Sequence, residues 1–438
     1  GATITINSKT SFDKVANTLN VLTADELRGF AETKLQSQLG EHPNWTVDSI
    51  FKDGGTDTDW QNEIYRLGIT TDNNLSFSGG NETSTYYASI THANWQGVMK
   101  GTEKERTSAK LNLSHKAFNN KLTLTGNLTS SFENNDYENY DGWDKDDIIY
   151  QAISHNPTDP VYNPDGTYNK TQREFNYENP IAIINEVTNI RDAKSFTGNL
   201  KADWLIINGL TFSINGGYLR NDNESNYFRP SGLYASADNG YARRAYSNNY
   251  QKILESTLNY VKKIDNHNFD AILGYSWQES GYDGFSAQAS NAQSPYSGPN
   301  NLQTLVDVKY GDISSYKGMS RLIGMFGRVQ YNFNSKYYAS GSIRRDGSTK
   351  FGENNKWGWF PTAAIGWNMQ NEDFLSNVSW IDQLKLRGSY GVSGNQNIGE
   401  YRSQVAWQPG GLATNPETGQ QGVSFQPAWN ANPDLKWE

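Results

Sequence analysis

The chain has 438 residues, enough for one large β architecture or two to three ordinary domains. Its net charge of −9 opposes nucleic-acid binding, and the absence of Cys excludes disulfides and thiolate metal sites. No window supplies the roughly 18 consecutive apolar residues of a membrane helix, whereas 26 Tyr, 13 Trp and 40 Gly favour sheet and turn over helix.

Alternation of apolar and polar residues with a period of two is the main structural signal. The clearest run places Phe269, Ala271, Leu273, Tyr275 and Trp277 on one face. Such runs predict about thirteen strands, near residues 2–12, 68–78, 83–96, 105–117, 121–133, 193–206, 210–222, 250–263, 268–282, 319–333, 337–347, 357–369 and 383–393. Each suffices for the roughly 9 to 11 residues with which a tilted strand crosses a bilayer.

The connections between the predicted strands fall into two groups. Short sequences rich in turn-forming residues close hairpins near 79–81, 118–121, 208–209, 265–268 and 334–336. Long connections lie near 13–67, 134–192, 221–250 and 291–319, so short and long connections are predicted to alternate strictly along the first ten strands. This pattern is typical of a transmembrane antiparallel β-barrel with short periplasmic turns and long extracellular loops. We therefore predict an all-β fold of this kind in one domain over residues 1–438.

The long loops are predicted to carry short helices rather than to be disordered. Side chains suited to helix N-caps precede four amphipathic or apolar stretches. These caps are Thr23 with Glu26, Thr58 with Gln61, Asp144, and Asn179 before Pro180. We expect folded loops above the barrel.

Five sequence stretches give the chain a family resemblance. They are TDWQNEIYR (58–66), SFSGGNETSTYYASI (76–90), RRDGSTKFG (344–352), LRGSYGVSGNQ (386–396) and NPDLKWE (432–438). In this order and spacing they resemble the SusC/RagA branch of the TonB-dependent outer-membrane transporters of Bacteroidota. The resemblance covers nearly the whole chain, and five motifs in register are specific where any one would be weak.

The resemblance implies a 22-stranded barrel, surrounded by outer-membrane lipid and occluded by an N-terminal plug. It also implies TonB-dependent import of large nutrients, either oligosaccharides or peptides, together with a SusD-like lipoprotein at the extracellular mouth. Thirteen strands leave an open edge, which lipid does not tolerate. We therefore expect residues 1–438 to be the N-terminal part of the barrel, with the plug domain and the last strands outside this chain.

Two acidic clusters are candidates for metal binding or catalysis. The first comprises Asp53, Asp57 and Asp59, whose spacing does not follow the EF-hand register, so a calcium loop is the weaker interpretation. The second comprises Asp144, Asp146 and Asp147, which would complement the dipole of a predicted helix. The five His residues show no metal-ligand spacing. We predict no enzyme activity, no catalytic residue, no metal site and no cofactor.

Aromatic residues crowd two of the predicted loops and are the candidate binding residues. They are Trp143, Tyr150, Tyr162 and Tyr168 in one loop, and Tyr227, Phe228, Tyr234 and Tyr241 in the next. Aromatic faces stack on sugar rings, and Tyr hydroxyls add hydrogen bonds. Contact with substrate, contact with a partner protein, and a structural role in barrel rims or loop cores all stay open as alternatives.

Three other functions share parts of this pattern. A soluble glycan-binding β protein would have a similar composition but no reason to place its long connections on one side. A passive porin would share the barrel but not the five motifs. A barrel that serves in a larger outer-membrane assembly, without an uptake role of its own, has no distinguishing feature in the sequence.

Overall fold

The computed structural model describes residues 1–138, 147–170, 177–233, 239–294, 296–375 and 380–438. Thirteen of its strands pair antiparallel in one sheet in chain order, and a short strand, β10, pairs only with β9. The strands are β1 (Thr3–Asp13), β2 (Gly68–Gly80), β3 (Ser84–Gln96), β4 (Glu103–Ala117), β5 (Leu122–Asp136), β6 (Thr188–Ile207), β7 (Leu210–Arg229), β8 (Tyr241–Ile264), β9 (His267–Ala292), β10 (Leu305–Asp307), β11 (Ile313–Phe333), β12 (Tyr337–Ser348), β13 (Trp357–Asn368) and β14 (Lys385–Gly391). A separate hairpin consists of β15 (Ala406–Thr414) and β16 (Gln421–Trp429).

Within the residues that the structure describes, the connections carry five α-helices and three single turns of 3-10 helix. The α-helices are α1 (Ala24–Gln38), α2 (Val47–Ile50), α3 (Trp60–Ile64), α4 (Ile148–Ser154) and α5 (Pro180–Glu186), and the 3-10 turns span Leu302–Thr304, Met369–Asn371 and Asp373–Leu375. None of the helices in the described ranges is long and apolar enough to cross a membrane.

Two of the four predicted helix caps are confirmed. Thr23 and Glu26 form the reciprocal capping box of α1, and the Asn179 side chain accepts hydrogen bonds at the start of α5. The prediction for α3 is wrong by one residue, because Asp59 caps the helix and the Thr58 hydroxyl donates to the carbonyl of Asp159 instead. Asp144 lies outside the described residues.

The register divides the sheet into an apolar face and a polar face. Leu258, Leu273, Gly327 and Ile343 lie directly across from one another on four neighbouring strands and share one face. The positions between them along each strand face the other side and carry polar or charged side chains. These form hydrogen bonds between neighbouring strands; for example, the Asn199 side chain donates to that of Asn215 at 2.6 Å. In a membrane barrel the apolar face contacts lipid and the polar face lines the lumen.

The apolar band has the height of a bilayer. On β11 it extends from Phe333, beside Tyr337, to Arg321. The twelve residue-to-residue steps from Arg321 to Phe333 span about 40 Å along the strand, and about 28 Å along the membrane normal for a tilt of about 45°. At its upper limit Glu279 accepts hydrogen bonds from Arg321 at 2.8 Å and from Lys252 at 3.2 Å, which gives the apolar face a charged border.

All thirteen predicted strands are present, but the long connections differ from the prediction. The connection predicted over 221–250 is reduced to residues 230–240, and that over 291–319 to residues 293–312, because β7, β8, β9 and β11 continue beyond the apolar band. The strict alternation is also wrong, since residues 97–102 make a short connection on the side of the long ones. Above the band the regular alternation of apolar and polar residues is lost, as at Asp222, Asn223 and Glu224 on β7, so the sequence there resembles a loop.

Three of the five motif stretches meet at one end of the sheet. The Trp437 ring packs on Phe351 and Phe360, with ring centroids 4.8 and 5.3 Å apart. The Gly352 N–H donates to the Leu435 carbonyl at 3.0 Å, and the Asn395 N–H donates to the Glu438 carbonyl at 2.7 Å. We call this arrangement of residues 344–352, 386–396 and 432–438 the motif clasp. It fixes residues 432–438 to the β12–β13 end.

Candidate functional site

The connections β1–β2 and β5–β6 fold together into one structure on the side of the long connections. We call it the loop cap, consisting of residues 14–67, 147–170 and 177–187. Helices α3, α4 and α5 pack around a shared apolar core, to which the neighbouring connections also contribute. The buried core residues are Trp60, Ile64, Met99, Ile148, Ala152, Ile181, Ala182, Ile183 and Leu233. This observation agrees with the expectation of folded loops.

Backbone hydrogen bonds tie the two halves of the loop cap together. The amides of Thr56 and Thr58 donate to the carbonyls of Thr158 and Pro157, at 3.1 and 2.7 Å. A Cβ at Gly54 would lie 2.3 Å from the Thr158 carbonyl oxygen, so only glycine fits at this crossing. The contact joins segments about a hundred residues apart in sequence and gives the loop cap a defined shape.

The three carboxylates of the candidate calcium loop have separate partners in the loop cap. Asp53 accepts two hydrogen bonds from Arg28, and this contact lowers the pKa of the Asp53 carboxyl. Asp57 accepts from the Ala24 amide, and Asp59 caps α3. Within the described ranges, no group of three or more His, Asp or Glu side chains could hold a metal ion. In the second acidic cluster, Asp147 caps α4.

The candidate residues of the first loop are spread over the loop cap. Tyr150 is half-buried on α4, while Tyr162 and Tyr168 face each other in an isolated antiparallel bridge with ring centroids 5.3 Å apart. Tyr168 packs against the apolar core, and Tyr162 is 50% exposed. Trp143 lies outside the described residues. Of these side chains, Tyr162 offers the most surface to another molecule.

Three of the four candidate residues of the second loop lie on strands, and they occupy both faces of the sheet. Tyr227 and Tyr241, near the adjoining ends of β7 and β8, are on the polar face with ring centroids 5.8 Å apart. Phe228 is on the other face, where it packs against a buried cluster that includes Ala242 and Leu305. The prediction that these residues lie in a loop is therefore wrong for Tyr227, Phe228 and Tyr241, because β7 and β8 continue beyond the apolar band. Tyr234 lies outside the described residues.

A second aromatic pair on the polar face was missed by the sequence analysis. Tyr282 on β9 and Tyr316 on β11 have ring centroids 6.1 Å apart, and Tyr316 is 52% exposed. Each ring covers a glycine on the neighbouring strand, because a Cβ at Gly318 would meet Tyr282 and a Cβ at Gly284 would meet Tyr316. Glycines paired with aromatic residues across strands are the sequence signal that would have found this pair.

Polar groups surround this second pair. The Tyr282 hydroxyl donates to Glu400 at 3.4 Å, and Lys350 lies 3.6 Å from the same carboxylate. Tyr241 pairs with Ser290, eight residues further along β9 than Tyr282, so the two aromatic pairs are about 27 Å apart along the strand direction. Both pairs lie above the charged border formed with Glu279. We call them the polar-face aromatic pairs.

Glu138, just after β5, is a half-buried carboxyl. Burial, and to a smaller extent the neighbouring charge of Asp136, raises its pKa to about 8. The folded state therefore holds a proton that the unfolded chain releases at an ordinary glutamate pKa of about 4.3. We expect stability to fall as the pH rises from about 4 through 8, and Glu138→Gln to remove this dependence. Thermal unfolding of both proteins across this pH range is the measurement, and parallel curves would contradict the expectation.

Comparison with known proteins agrees with this architecture. Residues 151–438 match a family model described as TonB dependent receptor-like, beta-barrel. TonB-dependent receptor P3 of Formosa agariphila is 30% identical over 441 residues, covering 100% of this chain and 42% of the relative. TonB-dependent receptor SusC of Bacteroides thetaiotaomicron is 28% identical over 91% of this chain and 40% of its own length. The chain thus spans less than half the length of these relatives.

A solved structure shows the same fold. The RagAB peptide transporter superposes with a TM-score of 0.78 at 21% identity, over 99% of this chain and 51% of that one. The apolar band, the polar face and the long-loop side found above are the features of an outer-membrane barrel. This chain belongs to the TonB-dependent receptor-like β-barrel family, a family of transport receptors of the bacterial outer membrane that includes SusC.

Proposed function

We propose that the full-length protein imports a large polar nutrient, an oligosaccharide or a peptide, across the outer membrane with energy relayed by TonB. The observation that carries this proposal is the presence of the two polar-face aromatic pairs, Tyr227 with Tyr241 and Tyr282 with Tyr316. On the face that would line a water-filled lumen, the Tyr282 and Tyr316 rings are 39% and 52% exposed, and the Tyr227 and Tyr241 rings are half-buried. They offer stacking surfaces to a passing substrate.

The polar groups beside the second pair would add hydrogen bonds to the stacking. Glu400 accepts from the Tyr282 hydroxyl and lies near the Lys350 ammonium. A sugar hydroxyl or a peptide amide can replace one of these hydrogen bonds by its own. The net free-energy cost is small, because each donor and acceptor keeps a partner. Weak sites repeated along the lumen suit a substrate that must be released again.

The resemblance also leads us to propose a SusD-like lipoprotein as the partner that covers the loop cap. The loop cap has a buried core of its own, so its upper surface is a defined shape rather than a mobile coil. Within the loop cap Tyr162 is half exposed, and Phe30 of α1 is 59% exposed. Aromatic residues of this kind are enriched at protein interfaces.

The sheet edges support a closed barrel in the full-length protein. The outer edges of β1 and β14 have no strand partner within the described sheet. Unpaired N–H and C=O groups are not tolerated in lipid, so we propose that further strands of the full-length protein pair with both edges. The plug and the TonB-contacting region would then belong to the part of the relatives' length that this chain does not span.

Uptake by a strain that carries the full-length protein tests the proposal. Tyr282→Ala and Tyr316→Ala remove a stacking ring each, and we expect each to reduce uptake of a labelled substrate by about tenfold. Tyr310→Ala, an exposed aromatic in the β9–β11 connection, is the matched control and should leave uptake unchanged.

Growth on oligosaccharides or on peptides as the sole nutrient distinguishes the two substrate classes. Deletion of the TonB gene should abolish uptake by the wild-type protein, because the proposal requires energy from the inner membrane. If uptake of neither class depends on the protein, the proposal fails, and a role in a larger outer-membrane assembly takes its place.

A further inference from the structure

The two arginines of the RRDG motif point to opposite faces of β12. Arg344 lies on the polar face, where its Nε contacts both oxygens of Asp346 at 2.7 and 2.8 Å. Arg345 pairs with Met325 and Trp359 and lies on the apolar face among exposed lipid-contacting side chains. An arginine on the lipid face of a membrane barrel is unfavourable, so its presence there needs a physical reason.

The depth of Arg345 places it near the outer-leaflet headgroups. Its partner Met325 is four residues from Arg321, which borders the apolar band on the side of the long connections. Four residues correspond to about 13 Å along the strand and about 9 Å along the membrane normal at a tilt of about 45°. An arginine side chain at this depth reaches the headgroup level from below.

The Arg345 guanidinium is held in place, but it has no anionic partner among the residues that the structure describes. It lies over the rings of Trp357 and Trp359, 4.7 and 5.1 Å from the ring centroids. Its Nε is shielded from solvent and has no hydrogen-bond acceptor among the residues that the structure describes. No carboxylate in the same ranges lies within salt-bridge distance of it, in contrast to Arg344. The cation is oriented by two aromatic rings and left without a counter-ion.

An apolar groove leads from Arg345 down the lipid face. It has a volume of about 530 Å³, and its lining includes Leu273, Met325, Ile343 and Trp359. Gly327 makes the floor, because it lacks a side chain where its neighbours on the adjacent strands carry Leu273 and Ile343. A second groove of about 370 Å³ shares Leu258, Leu273, Gly327 and Ile343 and continues it towards Tyr260. The continuous groove is open to the acyl-chain region of the membrane.

We propose that this groove is a binding site for a phosphorylated glycolipid of the outer leaflet, with an acyl chain over Gly327 and a phosphate on Arg345. Arginine binds phosphate through short, charge-assisted hydrogen bonds, which would satisfy the shielded Nε. The groove supplies an apolar surface for the chain, directly below the cation. A lipid is the occupant because it alone places an anion and an extended apolar chain at this depth.

Another groove on the same face serves as an internal comparison. It lies across β2 to β6, with a volume of about 500 Å³, and its apolar-face lining includes Leu75, Phe77, Ile90 and Leu128. No cation on the apolar face adjoins it, since the Lys110 beside it lies on the polar face of β4. It therefore accepts acyl chains without selecting a headgroup.

The test uses the full-length protein in nanodiscs of zwitterionic phospholipid. The probes are labelled lipopolysaccharide from the host strain and the same material after removal of its phosphate groups. We expect the wild-type protein to bind the phosphorylated probe about tenfold more tightly, and Arg345→Gln to abolish that difference. Gly327→Leu, which fills the groove, should weaken the binding of both probes.

Two matched variants control for charge and for bulk. Arg328→Gln removes an exposed arginine from the polar face of the adjacent strand β11. Gly126→Leu adds a side chain to the lipid face where, as at Gly327, a Cβ would meet a leucine Cδ2 at 3.2 Å. Both controls should bind the phosphorylated probe like the wild type. Heat-modifiable migration in gels identifies any variant that fails to fold.

Three outcomes would overturn the proposal. The first is equal binding of the phosphorylated probe by Arg345→Gln and the wild type. The second is complete competition by inorganic phosphate at the probe's own concentration, which would indicate an anion site without lipid. The third is a protein subunit that co-purifies with the wild type and is lost from both Arg345→Gln and Gly327→Leu, which would make the groove a protein interface.

Discussion

Replacing Gly352 with alanine should open the motif clasp while the sheet stays paired. A Cβ at this position would lie 1.7 Å from the carbonyl oxygen of Pro433, and neither backbone can move without breaking the hydrogen bond between Gly352 and Leu435. Overpacking of this kind costs about 3 kcal/mol, which corresponds to about a hundredfold faster exchange of the amide hydrogens that close the clasp. The exchange rates of the backbone amides of residue 352 and Asn395, followed by hydrogen–deuterium exchange, measure this effect.

Gly388→Ala is the matched control for this substitution. Gly388 lies on β14 within the motif stretch 386–396, and a Cβ there would have no atom within 4 Å. We expect exchange at Asn395 to be unchanged in this variant. If both alanine variants exchange alike, the close approach of Gly352 to Pro433 does not hold the clasp together.

Replacing Trp60 with alanine should unfold the loop cap locally. Trp60 is 3% exposed, its Nε1 donates to the Asn156 carbonyl at 3.0 Å, and its ring packs edge-on against His155. Removing a buried tryptophan costs about 3–5 kcal/mol, and the loop cap, lying outside the bilayer, has only its own core to absorb the loss. Protease cleavage between α4 and α5 should become fast while the sheet resists.

Trp45→Ala tests whether the effect belongs to the core. Trp45 stacks on His42 with ring centroids 4.0 Å apart, but it is 37% exposed and lies outside the core of α3, α4 and α5. We expect it to change the cleavage rate little. Rapid cleavage of both variants would mean that the loop cap is marginally stable throughout and that its core has no special role.

The strands were predictable because the membrane imposes a period of two. Within the apolar band each strand has one face in lipid and one in water. The alternation of apolar and polar residues from Phe269 to Trp277 therefore indicates a membrane-spanning strand. The upper parts of β7 and β8 were not predictable in this way. Asp222, Asn223 and Glu224 follow one another on β7, and a strand that is wet on both faces carries no alternation.

The hairpin β15–β16 was missed for a different reason. Pro409, Gly410 and Gly411 interrupt β15, and the pairing shifts register at this position. Pro and Gly predict a turn or a loop from sequence alone, because they disfavour a regular strand. The hairpin tolerates them because the local register shift leaves Pro409 without a required hydrogen-bond donation.

The candidate site was predictable in composition but not in geometry. The sequence identified Tyr227 and Tyr241 by their crowding, and the structure pairs them on the polar face. The opposite orientation of Phe228 follows from the same period of two, once the residue is known to lie on a strand. Tyr282 and Tyr316 were missed because aromatic residues within barrel strands are usual at membrane interfaces. Their function depends on which face they occupy.

The motif clasp has a consequence for the order of assembly. Every strand of the large sheet pairs with its predecessor or its successor along the path, so the wall can grow hairpin by hairpin as the chain emerges. The contact of Trp437 with Phe351 and Phe360 does not follow this order, because it requires more than seventy residues of later chain. Until Trp437 packs on them, we expect Phe351 and Phe360 at the β12–β13 end to stay accessible to proteases and chaperones. Formation of the motif clasp would then be one of the last steps of insertion.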